Sequence, residues 1–332
     1  MFSIISRAYI FQYFSMQTFL HQKFFFNIKD SIQKSSNILL AVSSGQDSLC
    51  LLKLIDDCLL MKSCNITGMY VDHQWKKDSL YHTQHIINLI QTRNIPLAIY
   101  QIKKQSLSEH VARENRYKAL IEHAIKKQCT VIMTGHNNND IIETFLQNII
   151  RGTSLNGATN LTLNKKVNST LSIVRPLINF SRSEITWFCR QFSLPTWSDI
   201  TNYNFHIKRD RIRHEVFPYL ENYFNPQVKK NVTNFIKLCY TENEYIKENT
   251  LKLYIKSRHS SIISLNIKKI SKQHLVLQTR VLKLFFYYHF QKQISINFVK
   301  KIISIYCSNQ CTTLFFENLT VYYCNNSIYI KK

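Results

Sequence analysis

Six consecutive residues, Ser43, Ser44, Gly45, Gln46, Asp47 and Ser48, separate two apolar runs. Before them, Asn37 to Val42 (NILLAV) reads as a short buried strand. After them, Leu49, Leu51, Leu52 and Ile55 recur at helical spacing, and Asp47 and Ser48 suit a helix start. A strand, a turn without bulk and a helix N-terminus make an anion site. Backbone N–H groups and the positive end of the helix dipole point at the turn. Small residues there let the backbone approach a phosphate. The same pattern also fits an ordinary strand-to-helix turn. It is not G-x-x-x-x-G-K-[ST], because no Lys follows the Gly, and it is not G-x-G-x-x-G.

A second group of reactive residues is Gly135, His136, Asn137 and Asp140 with Glu143, followed by Arg151 and Gly152. Asp140 and Glu143 are three apart and share one helix face. Alone they fit an acidic first turn that complements the helix dipole. Together with the Ser43 turn they offer a carboxylate pair for a cation. His73 and His136 sit where strands end, placed either to orient a ligand or to satisfy a carbonyl. Arg113, Arg116, Arg209 and Arg213 are guanidiniums suited to phosphates.

The elements that must position these residues alternate between strand and helix. Strands are expected at Asn65 to Val71, Pro96 to Ile102, Thr130 to Thr134 and Ser172 to Pro176. Helices are expected at Leu80 to Arg93, Ser108 to Lys127, Asp140 to Ile150 and Ser181 to Gln191. This order predicts an α/β fold, a doubly wound, mainly parallel, Rossmann-like sheet. Ligands then bind at the carboxyl ends of the strands, where the Ser43 turn, Asp72–His73 and Gly135–His136 fall together. Arg151 to Lys166 and Pro195 to Arg213 read as polar loops, and Pro218 as a boundary. Tyr219 to Lys256 is helical, a connector. From Ser261 onward, helical patterns at His274 to Phe290 and Ile296 to Tyr306 precede three alternating runs, readable as a hairpin. The expected domains are an N-terminal extension (1–30), a catalytic domain (31–217), a helical connector (218–260) and a small α+β C-terminal domain (261–332).

Composition narrows the partners. The chain has 332 residues, 45% of them hydrophobic, enough for a core and more than one domain. Lys and Arg number 43 against 20 Asp and Glu, a net charge of +23, which points to a polyanion such as nucleic acid. A-T-rich codon usage accounts for the abundance of Lys, Asn, Ile, Tyr and Phe but not for the shortage of acids. The 9 Cys include no C-x-x-C pair, so reduced thiols are expected rather than a zinc site. The apolar N-terminus is interrupted by Arg7, Gln12, Gln17, His21 and Lys23, so no membrane span is expected there. Met16 is an alternative start, leaving a helix from Met16 to Lys34.

Ser43 to Ser48 resembles the PP-loop, S-G-G-x-D-S, of ATP pyrophosphatases, with Ser44 at the first Gly. There Ser44 must keep φ negative or carry strain of about 1 kcal/mol or more. Gly135-His136 through Asp140, Glu143, Thr144 and Arg151-Gly152 resembles the G-H-x-x-x-D-x-x-E-T…R-G block of tRNA(Ile)-lysidine synthetases. Asp72-His73-Gln74-Trp75-Lys76 resembles their D-H-x-x-R segment, with Lys76 for Arg. Ala112-Arg113 through Arg116-Tyr117 resembles A-R-x-x-R-Y. Asp199-Ile200-Thr201-Asn202 and Arg209-Asp210-Arg211-Ile212-Arg213 resemble D-P-S/T-N and R-N-x-x-R, with Ile200 for Pro and Asp210 for Asn.

The resemblance implies a ligase with ATP, L-lysine and a CAU-anticodon tRNA(Ile) as substrates. The wobble cytidine is adenylated with loss of pyrophosphate, and lysine then displaces AMP to leave lysidine, which pairs with A. It implies catalytic roles for Asp47, Asp140, Glu143 and Arg209. ATP binding falls to Ser43 to Ser48, His73 and His136, tRNA binding to Arg113, Arg116, Arg151 and Arg213, and Mg²⁺ to Asp47. A homodimer is left open. The composition and short C-terminal part point to a plastid stroma, with a bacterial cytoplasm as the alternative. Two other readings stand beside the ligase. One is a PP-loop tRNA thiolase, which would place paired Cys near the site; Cys50 on the helix after the turn and Cys129 before a strand form no C-x-x-C, which counts against it. The other is a non-catalytic tRNA-binding protein with a decayed loop.

Overall fold

A computed structural model describes residues 18–32, 36–58, 64–72, 79–102, 109–159, 161–197, 208–308 and 312–331. The chain forms two compact units, Met1–Ile236 and Lys237–Lys332. His73 to Lys76, Asp199 to Asn202 and the candidate start at Met16 lie outside the described residues.

The first unit holds six strands: β1 (Asn37–Val42), β2 (Asn65–Asp72), β3 (Leu97–Gln101), β4 (Val131–Met133), β5 (Asn164–Lys166) and β6 (Ser172–Val174). Their spatial order is β3-β2-β1-β4-β6-β5. All neighbours are parallel except the β5–β6 pair. This is the expected doubly wound sheet, and its order reverses between β1 and β4, so the loop after β1 opens at the switch point. Strand β1 is apolar on both faces because both are covered. Ile38 and Leu40 join a cluster with Leu52, Phe180 and Phe188, whereas Leu39 joins Leu120, Ala124 and Ile132 on the other side. The N-terminal helix Phe19–Ile28 closes the first of these clusters with Leu20, Phe24 and Ile28.

Three segments differ from expectation. The polar loop of 151–166 contains a helical turn, Leu155–Ala158, and the antiparallel edge strand β5. That strand reads Asn-Lys-Lys and is exposed, so it carries no apolar signal. The end of the second polar stretch is helical: Lys208–Arg211 continues as a π-helical turn, Ile212–Val216. Pro218 begins the helix Phe217–Tyr223 rather than closing a segment, since Pro is accepted in a first turn. The helix Val228–Ser257 follows.

The second unit carries the helices Leu275–Phe290 and Ile296–Ser308. Their apolar faces meet β7 (Ser264–Asn266), β8 (Thr312–Phe316), β9 (Leu319–Cys324) and β10 (Ser327–Lys331) around Phe285, Phe286, Val321 and Ile328. The sheet order is β7-β10-β9-β8 and every pair is antiparallel. The expected hairpin is therefore four strands, the extra one being a three-residue strand too short to show a period.

Candidate active site at the strand ends

The turn after β1 opens directly into the helix Gln46–Asp57, with Gly45 as its N-cap. The Ser43 N–H donates to Ser48 Oγ at 2.8 Å, and Ser48 and Leu49 N–H both return to the Gly45 carbonyl at 3.1 Å. Among the described residues no hydrogen bond takes the N–H of Ser44, Gly45, Gln46 or Asp47. Four successive amides are thus left at a helix N-terminus, an arrangement that binds phosphate. Ser44 is not among the residues with positive φ, so the departure from glycine carries no backbone strain. The Gly45 φ is −75°, a value any residue adopts.

Gly135, at the end of β4, lies against this loop. A Cβ there would stand 3.2 Å from the carbonyl carbon and oxygen of Asp47 and 3.3 Å from Ser48 N. Absence of a side chain is what lets the β4 end and the loop share the switch point. Asp47 is half-buried, and its Oδ1, which is inaccessible to solvent, has no hydrogen-bond partner. Burial, then the charge of Asp140, pushes its carboxyl up to about 6 against the opposing pull of Arg182, Asn137 and Arg213. Asn137 is close enough to favour the charged form, although its Nδ2 makes no hydrogen bond of regular geometry. An orphaned carboxylate oxygen beside free amides is a natural cation ligand next to a phosphate.

Asn137 is the N-cap of the helix Asn138–Arg151. Its Oδ1 accepts from Asn139 and Asp140 N–H, and its own N–H donates to Asp140 Oδ2 at 2.8 Å. Asp140 thus sits in the first turn of this helix and completes the capping box with Asn137. Its Oδ1 accepts from Arg209. Glu143, one turn on and 1% exposed, accepts from Arg209 Nε at 2.7 Å and from Arg213 Nε and Nη2 at 2.7 and 2.9 Å. Arg209 and Arg213 are four apart on the helical segment after residue 207, which brings both guanidiniums to one carboxylate. Burial pushes the Glu143 carboxyl up, but hydrogen bonds from Arg213 and the charge of Arg209 outweigh it and hold it below the usual range.

His136 is buried beside a second cluster. Thr134 Oγ1 lies 2.8 Å from Nδ1, while an Arg113 Nη2 lies 3.3 Å from Nε2. Since guanidinium only donates, Nε2 accepts and the ring is the neutral Nδ1–H form. Burial first, and then Arg113, Arg116, Arg175 and Arg209, hold its pKa well below the ordinary value. Tyr117 stacks on the ring at 6.2 Å and 16°, with Arg113 and Arg116 over its face at 5.6 and 5.8 Å. Burial would raise the Tyr117 phenol; Arg175, Arg113 and Arg116 reverse this and lower it.

Next to this cluster is a cavity of about 1060 Å³ between the helices Glu109–Lys126 and Asn138–Arg151 and strands β5 and β6. Its cations are Arg113, Lys118, Arg151, Lys165, Lys166, Arg175 and Arg209, its acids only Glu114 and Glu122. Arg175 is buried, donates Nη1 to the Thr162 carbonyl at 2.8 Å and leaves Nε without a partner.

The structure thus brings together Ser43 to Ser48, His136, Asp140, Glu143, Arg113, Arg209 and Arg213. Arg151 lines the cavity, and Arg116 faces Tyr117. His73 lies outside the described residues. The sequence reading missed Arg175, which directly follows the buried strand β6, and Arg182, which opens the capped helix Arg182–Gln191. A cation immediately after a buried strand was the available signal for Arg175. Cys50 and Cys129, the thiols of the thiolase reading, belong to separate apolar clusters. The Cys189 thiol, in the same cluster as Cys50, donates to the Gln46 carbonyl at 3.5 Å. Cys50, Cys129 and Cys189 are all free thiols.

Residues 16–220 match the PP-loop domain family. Over 318 residues the chain is 42% identical to the chloroplastic tRNA(Ile)-lysidine synthase of Gracilaria tenuistipitata var. liui, covering 95% of this chain and 99% of that one. It is 33% identical to the chloroplastic enzyme of that name from Pyropia yezoensis, over 81% of this chain and 82% of the relative. It is also 33% identical to tRNA(Ile)-lysidine synthase of Synechocystis sp., over 81% and 83% of the two chains. Among solved structures, the U34-tRNA thiolase NcsA of Methanococcus maripaludis superposes with a TM-score of 0.54 at 17% identity, over 67% of this chain and 78% of that one. That likeness is one of fold.

Proposed function

The chain belongs to the tRNA(Ile)-lysidine synthase family of PP-loop proteins, and from this membership we propose that it ligates L-lysine to the wobble cytidine of a CAU-anticodon tRNA(Ile). In the first step the cytidine 2-keto oxygen attacks the α-phosphorus of ATP, an O–P bond forms and pyrophosphate leaves. In the second a lysine amine attacks C2, the C–O bond breaks and AMP leaves. The product reads AUA in place of AUG.

The observation that carries this reading is the row of four unused amides from Ser44 to Asp47 beside the orphaned Asp47 Oδ1. The amides suit the pyrophosphate that leaves in the first step. The Ser48 hydroxyl accepts from Ser43 N–H and keeps its proton to donate. Asp47 fits a Mg²⁺ site, since its buried oxygen lacks a partner and Mg²⁺ takes carboxylate and phosphate oxygens together. Bound there, Mg²⁺ would neutralise phosphate charge.

Arg209 and Arg213 supply positive charge at the mouth of the same rim, where negative charge develops on the α-phosphate. Glu143 fixes both guanidiniums with its two oxygens. Asp140 is the more open carboxylate, at 13% against 1% exposure. Each of its oxygens keeps a further lone pair for the lysine ammonium. Asp140 can also help draw off the proton that an amine pKa of about 10.4 retains. The neutral His136 orients Arg113 by accepting from it. The basic cavity, with Arg113 and Arg151 in its wall, suits the anticodon strand. Related chloroplastic proteins make the plastid stroma the proposed compartment. Among the described residues no helix is long and apolar enough to cross a membrane.

The test is incorporation of labelled lysine into a tRNA(Ile) transcript with a CAU anticodon, with ATP and Mg²⁺ present. A tRNA(Met) carrying the same anticodon is the control. Label in the first tRNA alone is the expected result, and label in neither, with tRNA binding intact, overturns the reading.

A further inference from the structure

Ser44 is the one position where the nucleotide loop departs from the S-G-G-x-D-S pattern, and its hydroxyl is engaged. Ser44 Oγ lies 3.3 Å from His82 Nδ1, on the helix Ser79–Gln91. His82 is buried, and the Trp197 ring packs on it at 4.9 Å. Trp197 in turn donates its backbone N–H to the Ser44 carbonyl at 3.1 Å. His85, one turn along the same helix, packs against Trp197 at 5.5 Å and places Nε2 3.0 Å from the Pro195 carbonyl. Ser44 is therefore held from its side chain by His82 and from its carbonyl by Trp197, and those two holders touch each other.

We propose that His82, with Trp197 behind it, is a positioning residue for the nucleotide loop. It fixes the Ser44 hydroxyl, so that the two peptides carrying the Ser44 and Gly45 amides are set toward the pyrophosphate before ATP binds. A loop with glycine at this position has no side chain to hold; here the added hydroxyl supplies an anchor. Preorganisation of this kind lowers the ordering cost at binding and is read in the ATP KM more than in kcat. The inference rests on the assignment of Ser43 to Ser48 as the ATP loop.

The test is a double-substitution cycle on full-length protein, reading tRNA-dependent pyrophosphate release against ATP concentration. Ser44→Ala and His82→Ala are each expected to raise the ATP KM about fivefold, the weight of one neutral hydrogen bond, with kcat little changed. The double variant is expected to match either single variant, because both remove the same contact. His82→Gln keeps a side-chain amide within reach and is expected to restore most of the affinity. Multiplied effects in the double variant, or an unchanged KM for Ser44→Ala, overturn the role of His82. Ser44→Ala removes only a hydroxyl, so this arm decides the matter even if His82→Ala folds poorly. A wild-type protein that releases no pyrophosphate overturns the ATP-loop assignment itself.

Discussion

Gly135 and Asp47 meet backbone to backbone across the switch point, with room for no more than a hydrogen on Gly135: a Cβ would stand 3.2 Å from the Asp47 carbonyl carbon and oxygen. The neighbour is main chain and cannot rotate away. Gly135→Ala must therefore shift either the β4 end or the loop by a few tenths of an ångström. The expected cost is about 1–3 kcal/mol of stability, the range for overpacking. A larger effect is expected on ATP, since the displaced Asp47–Ser48 peptide directly follows the row of unused amides that ends at Asp47. Paired measurement of the melting temperature and the ATP KM checks this, with tRNA affinity as the reference that stays level. An unchanged ATP KM would show that the loop absorbs the shift.

Asp47 is a group whose burial is unfavourable to the fold and useful to the site. Its carboxyl is desolvated and repelled by Asp140, and one oxygen has no partner. Asp47→Asn removes the charge at constant shape and is expected to raise stability by about 1 kcal/mol or more. The same change is expected to reduce pyrophosphate release by about 10²-fold or more, the scale for loss of an electrostatic element of a phosphoryl site. Thermal unfolding in EDTA and single-turnover pyrophosphate release test the two halves separately. Loss of stability in Asp47→Asn would mean that the carboxylate is structural.

Glu143 is the opposite case. Removing its charge leaves Arg209 and Arg213 facing each other with only Asp140 between them. Glu143→Gln is expected to cost about 3–5 kcal/mol, as for breaking a buried ion pair from one side. Because the folded carboxyl is held below its unfolded value, its contribution is fully present above the unfolded pKa and disappears as pH falls through the folded one. The stability gap between wild type and Glu143→Gln should therefore be constant near neutrality and shrink in acid. Urea unfolding midpoints across that range are the measurement, and a gap that widens on acidification contradicts the assignment.

How much of this was legible in the sequence depended on the range of each interaction. The strand–turn–helix at Asn37 to Leu52 and the Asp140–Glu143 face were readable because each is local, a matter of period and capping. The strand ends gathering at one rim followed from strand–helix alternation. Strands β5 and β7 were not readable, being three residues long and either polar or brief. The pairing of Arg209 and Arg213 with Glu143 spans 66 to 70 residues, and no local pattern encodes it. The reason for Gly135 was hidden in the same way, since it concerns the space left by a distant peptide. Ser44, read as a departure to be accommodated, is accommodated by negative φ and by a histidine 38 positions away.

His136 gives a pH dependence of definite sign. Buried among guanidiniums, it stays neutral in the folded protein while the unfolded chain titrates near its ordinary value of about 6.5. As pH falls below that value, the unfolded state takes up a proton that the folded state refuses, so stability is lost. Between pH 7.5 and 5.5 wild-type unfolding midpoints should fall relative to those of His136→Gln, a variant that keeps the opposite contribution of Asp47, whose carboxyl is pushed up to about 6. The activity profile should show no ionisation belonging to His136 in this range. A wild type that gained stability relative to His136→Gln on acidification would require a protonated ring, which the Arg113 contact at Nε2 does not allow.

Lys165 and Lys166 lie on the exposed edge strand β5, in the wall of the basic cavity and remote from the carboxylate cluster in sequence. If the anticodon strand follows this wall, each lysine releases about one counterion when it meets a phosphate, so the slope of log affinity against log salt falls by about 1 per lysine removed. Lys165→Gln with Lys166→Gln should thus weaken tRNA binding most at low salt and flatten its salt dependence by about 2. The ATP KM should stay at its wild-type value, because the four loop amides at the β1 end are untouched. A salt slope equal to wild type would place the RNA elsewhere and leave the cavity to another anion; a changed ATP KM with an unchanged slope would assign these lysines to the triphosphate instead.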